Sequence, residues 1–138
     1  HLMMQQPHEW PVRIYYEDTD MQGIVYYANY LKYLERARTE FLRSKGFEQD
    51  ELIDEQGVVF AVRAVQMDYL KPAQFNDKLI VKTEIYEIKR ASIIFQQTIV
   101  RADKNREIIN KAKIKVACLE ALKMKVKAIP KQMSIQLK

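Results

Sequence analysis

Over residues 27–45 apolar positions recur at spacings of three, four and seven: Tyr27, Tyr30, Leu31, Leu34, Phe41 and Leu42. That period predicts a helix with one apolar face, closed by Gly46. Upstream the period is two. Val12, Ile14 and Tyr16 alternate with Arg13 and Tyr15, which predicts a strand over 10–16 running into an acidic loop that ends near Gly23. A short acidic helix is expected over 49–56, stopped by Gly57. The remainder reads as strands. Residues 58–69 are rich in β-formers with apolar residues on both faces, and 79–89, 91–101 and 107–119 alternate more cleanly. Pro72 with Asn76 and Asp77, then Lys89 with Arg90, then Asp103 to Asn105 supply the breaks. One long helix and about five largely antiparallel strands make an α+β domain, with the helix laid on a curved sheet.

Length narrows this to one domain. The chain has 138 residues, 48% hydrophobic and 30% charged, enough for one ordinary core and too short for two. No apolar run approaches the roughly 20 residues of a membrane span, and the first residues lack the basic-then-apolar layout of a signal peptide. A cytoplasmic protein without membrane insertion is expected. The leading His1-Leu2-Met3 reads as a cloning remnant, so residues 1–9 are taken as a tail and 10–138 as the domain. The single cysteine, Cys118, falls in an apolar strand pattern and reads as a buried structural thiol.

The histidines exclude more chemistry than the charge does. Both of them, His1 and His8, precede Trp10. Ser-His and Cys-His nucleophiles, histidine metal sites and histidine general bases are therefore not expected in the body of the domain. Catalysis would have to run on carboxylates, lysines, tyrosines or backbone groups. The acidic loop, with Glu17, Asp18 and Asp20 directly ahead of the long helix, is the densest candidate. Taken alone, such a turn reads first as capping and dipole compensation. Asp18 and Asp20 have the D-x-D spacing of a cation site but no third ligand close in sequence.

Net charge is +5 with a pI near 9.2. The basic residues match no nucleic-acid motif, and Lys111, Lys113 and Lys115 alternate with Ala112, Ile114 and Val116 as one solvated strand face. Within the helix, Glu35 is a candidate second carboxylate, with a bond to Thr39 or Arg38 as its plainer reading. Arg38 falls inside the apolar stripe, as a paired or interface arginine would.

Three stretches, WPVRIYYEDTDMQGIVYYANYLKYLERARTEFLR, MDYLKPAQFNDKL and KVACLEALKMKVKAIP, resemble the hotdog-fold acyl-CoA thioesterases of the 4-hydroxybenzoyl-CoA thioesterase type. Within these they are most similar to the YbgC group, encoded with the Tol-Pal envelope system. The resemblance implies a helix wrapped by an antiparallel sheet, a homodimer or homotetramer, an acyl-CoA substrate, and no cofactor or metal. It makes Asp20, in Asp20-Met21-Gln22-Gly23, the nucleophile or general base. The backbone N–H near Tyr27, at the helix start, becomes the oxyanion donor, and Gly23 allows a tight, close approach. Many YbgC members carry histidine where this chain has Tyr27; the hydroxybenzoyl branch commonly has tyrosine there. Tyr16 matches an upstream tyrosine of the group. Lys89 and Arg90 match basic residues that hold nucleotide phosphates, and Lys123 and Lys125 are weaker candidates for the same role. The competing reading is a weakly catalytic or non-catalytic partner of acyl carrier protein or envelope-synthesis enzymes.

Overall fold

The computed structural model describes residues 6–138, so the expected cloning remnant lies outside the described residues. Five strands form one antiparallel sheet: β1 (His8–Arg13), β2 (Val58–Tyr69), β3 (Lys78–Ile88), β4 (Ser92–Arg101) and β5 (Ile108–Glu120). Their spatial order is β1-β3-β4-β5-β2. The helix α1 (Asn29–Ser44) packs on one face of this sheet. Helix α2 (Gln49–Glu51) runs directly into a π-type turn, Leu52–Gln56, and α3 (Lys131–Leu137) closes the chain.

The core forms where the helical period meets the strand period. Leu34, Ala37 and Phe41 of α1 are buried against Val81, Phe95, Ile99 and Ile114 of the sheet, and the Phe41 and Phe95 rings meet edge-to-face at 6.0 Å. On the opposite sheet face Lys111 and Lys115 are exposed, and Lys113 lays its ammonium 3.9 Å from the Tyr86 ring centroid. Cys118 is buried as expected, and burial pushes its thiol pKa up.

β2 matches its expected span, and α1 begins two residues later than expected. Tyr26 to Ala28 instead form a turn, whose carbonyls accept i+3 bonds from Asn29, Tyr30 and Leu31. At its other end Gly46, at φ 94, allows a Schellman closure in which the Phe47 and Gly46 N–H groups donate to the Leu42 and Arg43 carbonyls.

Three expectations are corrected. The first strand starts at His8 and stops at Arg13. His8 and Glu9 pair with Thr83 and Lys82 rather than trailing as a tail, and Tyr16 belongs to a 3-10 turn, Tyr16–Asp18, rather than to a strand. The strand cannot continue because the Asp18 carboxylate accepts the Tyr15 N–H at 2.8 Å and folds the chain back. Finally, α3 was not anticipated. It is only 7 residues long, and its sole periodic signal is Met133 and Leu137, four apart and both buried.

Candidate active site

The acidic segment folds into a hook. Thr19 and Val25 form an isolated antiparallel bridge, and the Asp20 N–H donates to the Ile24 carbonyl at 2.8 Å. The Asp20 carbonyl accepts the Gly23 N–H at 3.0 Å, and its Oδ1 accepts the Gln22 N–H at 2.8 Å. This is the local side-chain turn that aspartate favours. Gly23 sits at φ 80 with open space around it, so its backbone conformation rather than crowding requires glycine. The second carboxylate oxygen of Asp20 has no partner among the described residues.

Asp18 builds rather than reacts. Its carboxylate caps the Tyr15 N–H, while its carbonyl accepts both the Tyr26 N–H at 3.1 Å and the Asn29 Nδ2 at 2.9 Å. These bonds fasten the hook to the first turn of α1. The Ala28 cap of that helix makes no side-chain capping bond. Among the described residues the N–H groups of Tyr27 and Ala28 have no hydrogen-bond partner. Two unpartnered donors thus sit at the positive end of a 16-residue helix.

That place is a cleft of about 740 Å³. Asp20, Ile24, Tyr26, Tyr27 and Tyr30 line one side; Tyr69, Leu70, Lys71 and Pro72, from the end of β2, line the other. The Tyr26 and Tyr27 rings stack at 5.0 Å, and the Tyr69 ring meets Tyr27 at 5.9 Å and Tyr30 at 5.6 Å. Burial raises the phenol pKa of Tyr30 and, with the neighbouring Tyr27, that of Tyr69. Both stay protonated near neutral pH and are unsuited to act as bases. The wall carrying Lys71 and Pro72 is clamped by Arg101, which donates to Glu107 at 2.8 Å, to the Pro72 carbonyl at 2.8 Å and to Asp77. The Lys71 ammonium reaches Glu107 at 2.6 Å.

Asp20, Gly23 and Tyr27 therefore belong to one hook and helix start, and Asp20 and Tyr27 share the cleft. Tyr16 does not line it. Tyr16 is 79% exposed, with its ring edge-to-face on Phe75. Lys89, Arg90, Lys123 and Lys125 are exposed at the other end of the sheet. β3 runs 11 residues from the cleft end to the Lys89-Arg90 turn, a length of about 35 Å at the usual rise per residue. Glu35 accepts a bond from the Thr39 hydroxyl at 2.9 Å rather than facing the cleft. The cleft residues Tyr69 to Lys71 escaped the sequence reading because the period ends where Pro72 breaks the strand.

The thioesterase-like superfamily model matches residues 15–137. The chain belongs to this superfamily. Within this superfamily it is 45% identical to the acyl-CoA thioesterase YbgC of Haemophilus influenzae over 130 residues, 94% of this chain and 93% of that one. Identity to the Escherichia coli O6:H1 acyl-CoA thioester hydrolase YbgC is 44%, covering 94% of each. Among solved structures, the superfamily fold is matched by a probable thioesterase from Bartonella henselae. Its TM-score is 0.84 at 32% identity, covering 90% of this chain and 99% of that one. The chain is thus a YbgC-type member with a hotdog fold.

Proposed function

We propose that this protein hydrolyses an acyl-CoA thioester to the free acid and CoA in the cleft between α1 and the end of β2. The observation that carries this is that Asp20 and Tyr27 line one cleft, with the unpartnered N–H groups of Tyr27 and the adjacent Ala28 at the helix start beside it. Hydrolysis needs both a nucleophile or base and donors for the developing oxyanion. A thioester carbonyl seated at the helix start would place its oxygen on those N–H groups and its carbon toward Asp20. Asp20 then either attacks that carbon, forming a mixed anhydride that water hydrolyses to the free acid and the regenerated carboxylate, or takes a proton from a water that attacks the carbon directly. In both cases the carbon–sulfur bond breaks and CoA leaves as thiolate. The tyrosine rings and Leu70 supply the apolar wall for the acyl group, and no metal or cofactor enters these steps.

The same proposal includes a cytoplasmic homo-oligomer, dimeric or tetrameric. Its support is β2, an edge strand of 12 residues whose Val62 and Val65 are 50% and 44% exposed. Such an edge invites a second chain. Because Lys89 and Arg90 lie a strand length from Asp20 of their own chain, a role for them in holding CoA phosphates requires another copy to bring them to the cleft. Tyr16, Lys123 and Lys125 as site residues, acyl carrier protein as a partner and a link to the Tol-Pal system rest on the family resemblance alone.

Asp20→Asn tests the chemistry. It keeps the shape of the side chain but removes the anion, so thioester kcat should fall at least about a hundred-fold with folding intact. Near-full activity in a folded Asp20→Asn protein would remove the catalytic assignment and favour the partner-binding role.

A further inference from the structure

Among the described residues Arg38 is the one charged side chain in the buried set, at 9% exposure. Its Nη1 donates to Gln97 Oε1 at 3.0 Å, and Gln97 is itself tied to the Leu34 carbonyl and the Thr83 hydroxyl. No carboxylate lies within ion-pair distance of Arg38 among the described residues. A guanidinium has five N–H donors, and a buried one left with a neutral acceptor alone is expensive. Burial pushes its pKa down, with the nearby Glu35 charge opposing the shift.

Arg38 is not sealed in. It lines a pocket of about 240 Å³ between α1 and β2, together with Glu35, Thr39, Gln49, Phe60 and Val62. Two features of this rim indicate its occupant. The outer edge of β2 has no strand beside it among the described residues; Val62 on that edge lines the pocket, and Val65 further along β2 and Leu31, four residues before Glu35 on the helix, are also exposed. The second feature is charge. Glu35 stands three residues before Arg38, and only its Oε2 is engaged, by Thr39. An acid and a base one helical turn apart form a self-complementary pair. When two such helices run antiparallel about a twofold axis, facing positions have a constant sum, so placing one acid opposite one base also places the reciprocal pair.

We propose that the Arg38 pocket is completed by Glu35 of the partner subunit, in two reciprocal ion pairs that fix the register in which two copies join along β2 and α1. This rests on the homo-oligomer reading above and adds its contact chemistry. The partner carboxylate gives Arg38 the ionic acceptor its own chain withholds. Closure of the interface removes Val62 and Val65 from water at the same step.

Charge reversal with mixing tests it. Glu35→Lys alone and Arg38→Glu alone each place like charges across the axis, and each should raise the dissociation constant for self-association at least about thirty-fold by analytical ultracentrifugation. Mixed in equal amounts, the two chains present opposite charges at both contacts, and native mass spectrometry should show heterodimers with near wild-type affinity. A pair made only within one chain would not be rescued by mixing. Glu35→Lys and Glu35→Gln, both exposed changes, decide the matter should Arg38→Glu fail to fold: the lysine must dissociate the assembly and the glutamine must weaken it less. Single variants that assemble like wild type, or folded singles that mixing does not rescue, would overturn the pairing while leaving the oligomer in place. A wild-type chain that stays monomeric at micromolar concentration would overturn both.

Discussion

The Asn29 side chain donates to the Asp18 carbonyl at 2.9 Å, across 11 residues of chain. It joins the hook that carries Asp20 to the helix start that carries the Tyr27 N–H. The same carbonyl accepts the Tyr26 N–H, so the hook is held by one backbone and one side-chain donor. Positions of the proposed nucleophile and oxyanion donors depend on this joint.

Asn29→Ala should therefore lower kcat about ten- to a hundred-fold, the scale associated with a misplacement of about 1 Å. KM should change little, because the acyl wall is untouched. Asn29→Asp, which brings an acceptor instead of a donor to the carbonyl, should be at least as damaging. Steady-state kinetics beside a thermal melt check this. Wild-type kcat in Asn29→Ala would show that the hook holds its place without the tie.

Tyr27 and Tyr69 separate backbone from phenol chemistry. Tyr27→Phe keeps the N–H and the stacked ring, so kcat should stay within about three-fold of wild type, far from the loss expected of Asp20→Asn. Tyr69→Phe removes a long bond of 3.5 Å to the Tyr27 carbonyl and should be similarly mild, with any effect in KM. A loss in Tyr27→Phe equal to that of Asp20→Asn would make the phenol a participant.

Sequence period was sufficient for α1 because it buries Tyr30, Tyr33, Leu34, Ala37, Phe41 and Leu42 on a helical repeat, whereas β2 was legible from its run of β-formers between Gly57 and Pro72. The turn from Asp20 to Gly23 was picked out by the family resemblance, and its bonds prove to be local ones, from Gln22 and Gly23 back to Asp20. What was missed depends on contacts distant in sequence. Tyr16 continues the alternation of β1 by residue type, yet the Asp18 carboxylate turns the chain before it. Leu70 and Lys71 are held at the cleft by bonds to the Ile109 carbonyl, and Pro72 is clamped by Arg101 of β4. The partner of Arg38 inside its own chain is Gln97, 59 residues away, which no helical spacing could name.

That clamp has a pH signature. Bonds from Lys71 and Arg101 hold the Glu107 carboxyl below its usual range. A carboxyl with a depressed folded-state pKa binds fewer protons folded than unfolded, so its contribution is present above its unfolded pKa, about 4.3. It is lost as pH falls through the lower folded value. Glu107→Gln should consequently reduce stability at neutral pH but flatten the acid limb of a denaturation curve below pH 4.5. Identical acid limbs in wild type and Glu107→Gln would show that the exposed pair is screened to insignificance.

The basic end of the sheet can be tested for its role and for the chain it serves. Should Lys89 and Arg90 hold CoA phosphates, reversing both to glutamate should raise KM several-fold and leave kcat near wild type, as loss of uniform binding does. KM of the wild type should likewise rise with salt. The length of β3 separates these residues from Asp20 of their own chain, so each working cleft would borrow a basic end from another subunit. Mixing the double-reversal chain with an Asp20→Asn chain then gives a hybrid with one cleft that pairs intact Asp20 with an intact basic end. Its KM should return to the wild-type value while kcat reflects the reduced number of working clefts. A raised KM that persists after subunit exchange would place the phosphates on the same chain as Asp20. An unchanged KM in the double reversal itself would make Lys89 and Arg90 ordinary solvated residues of a hairpin.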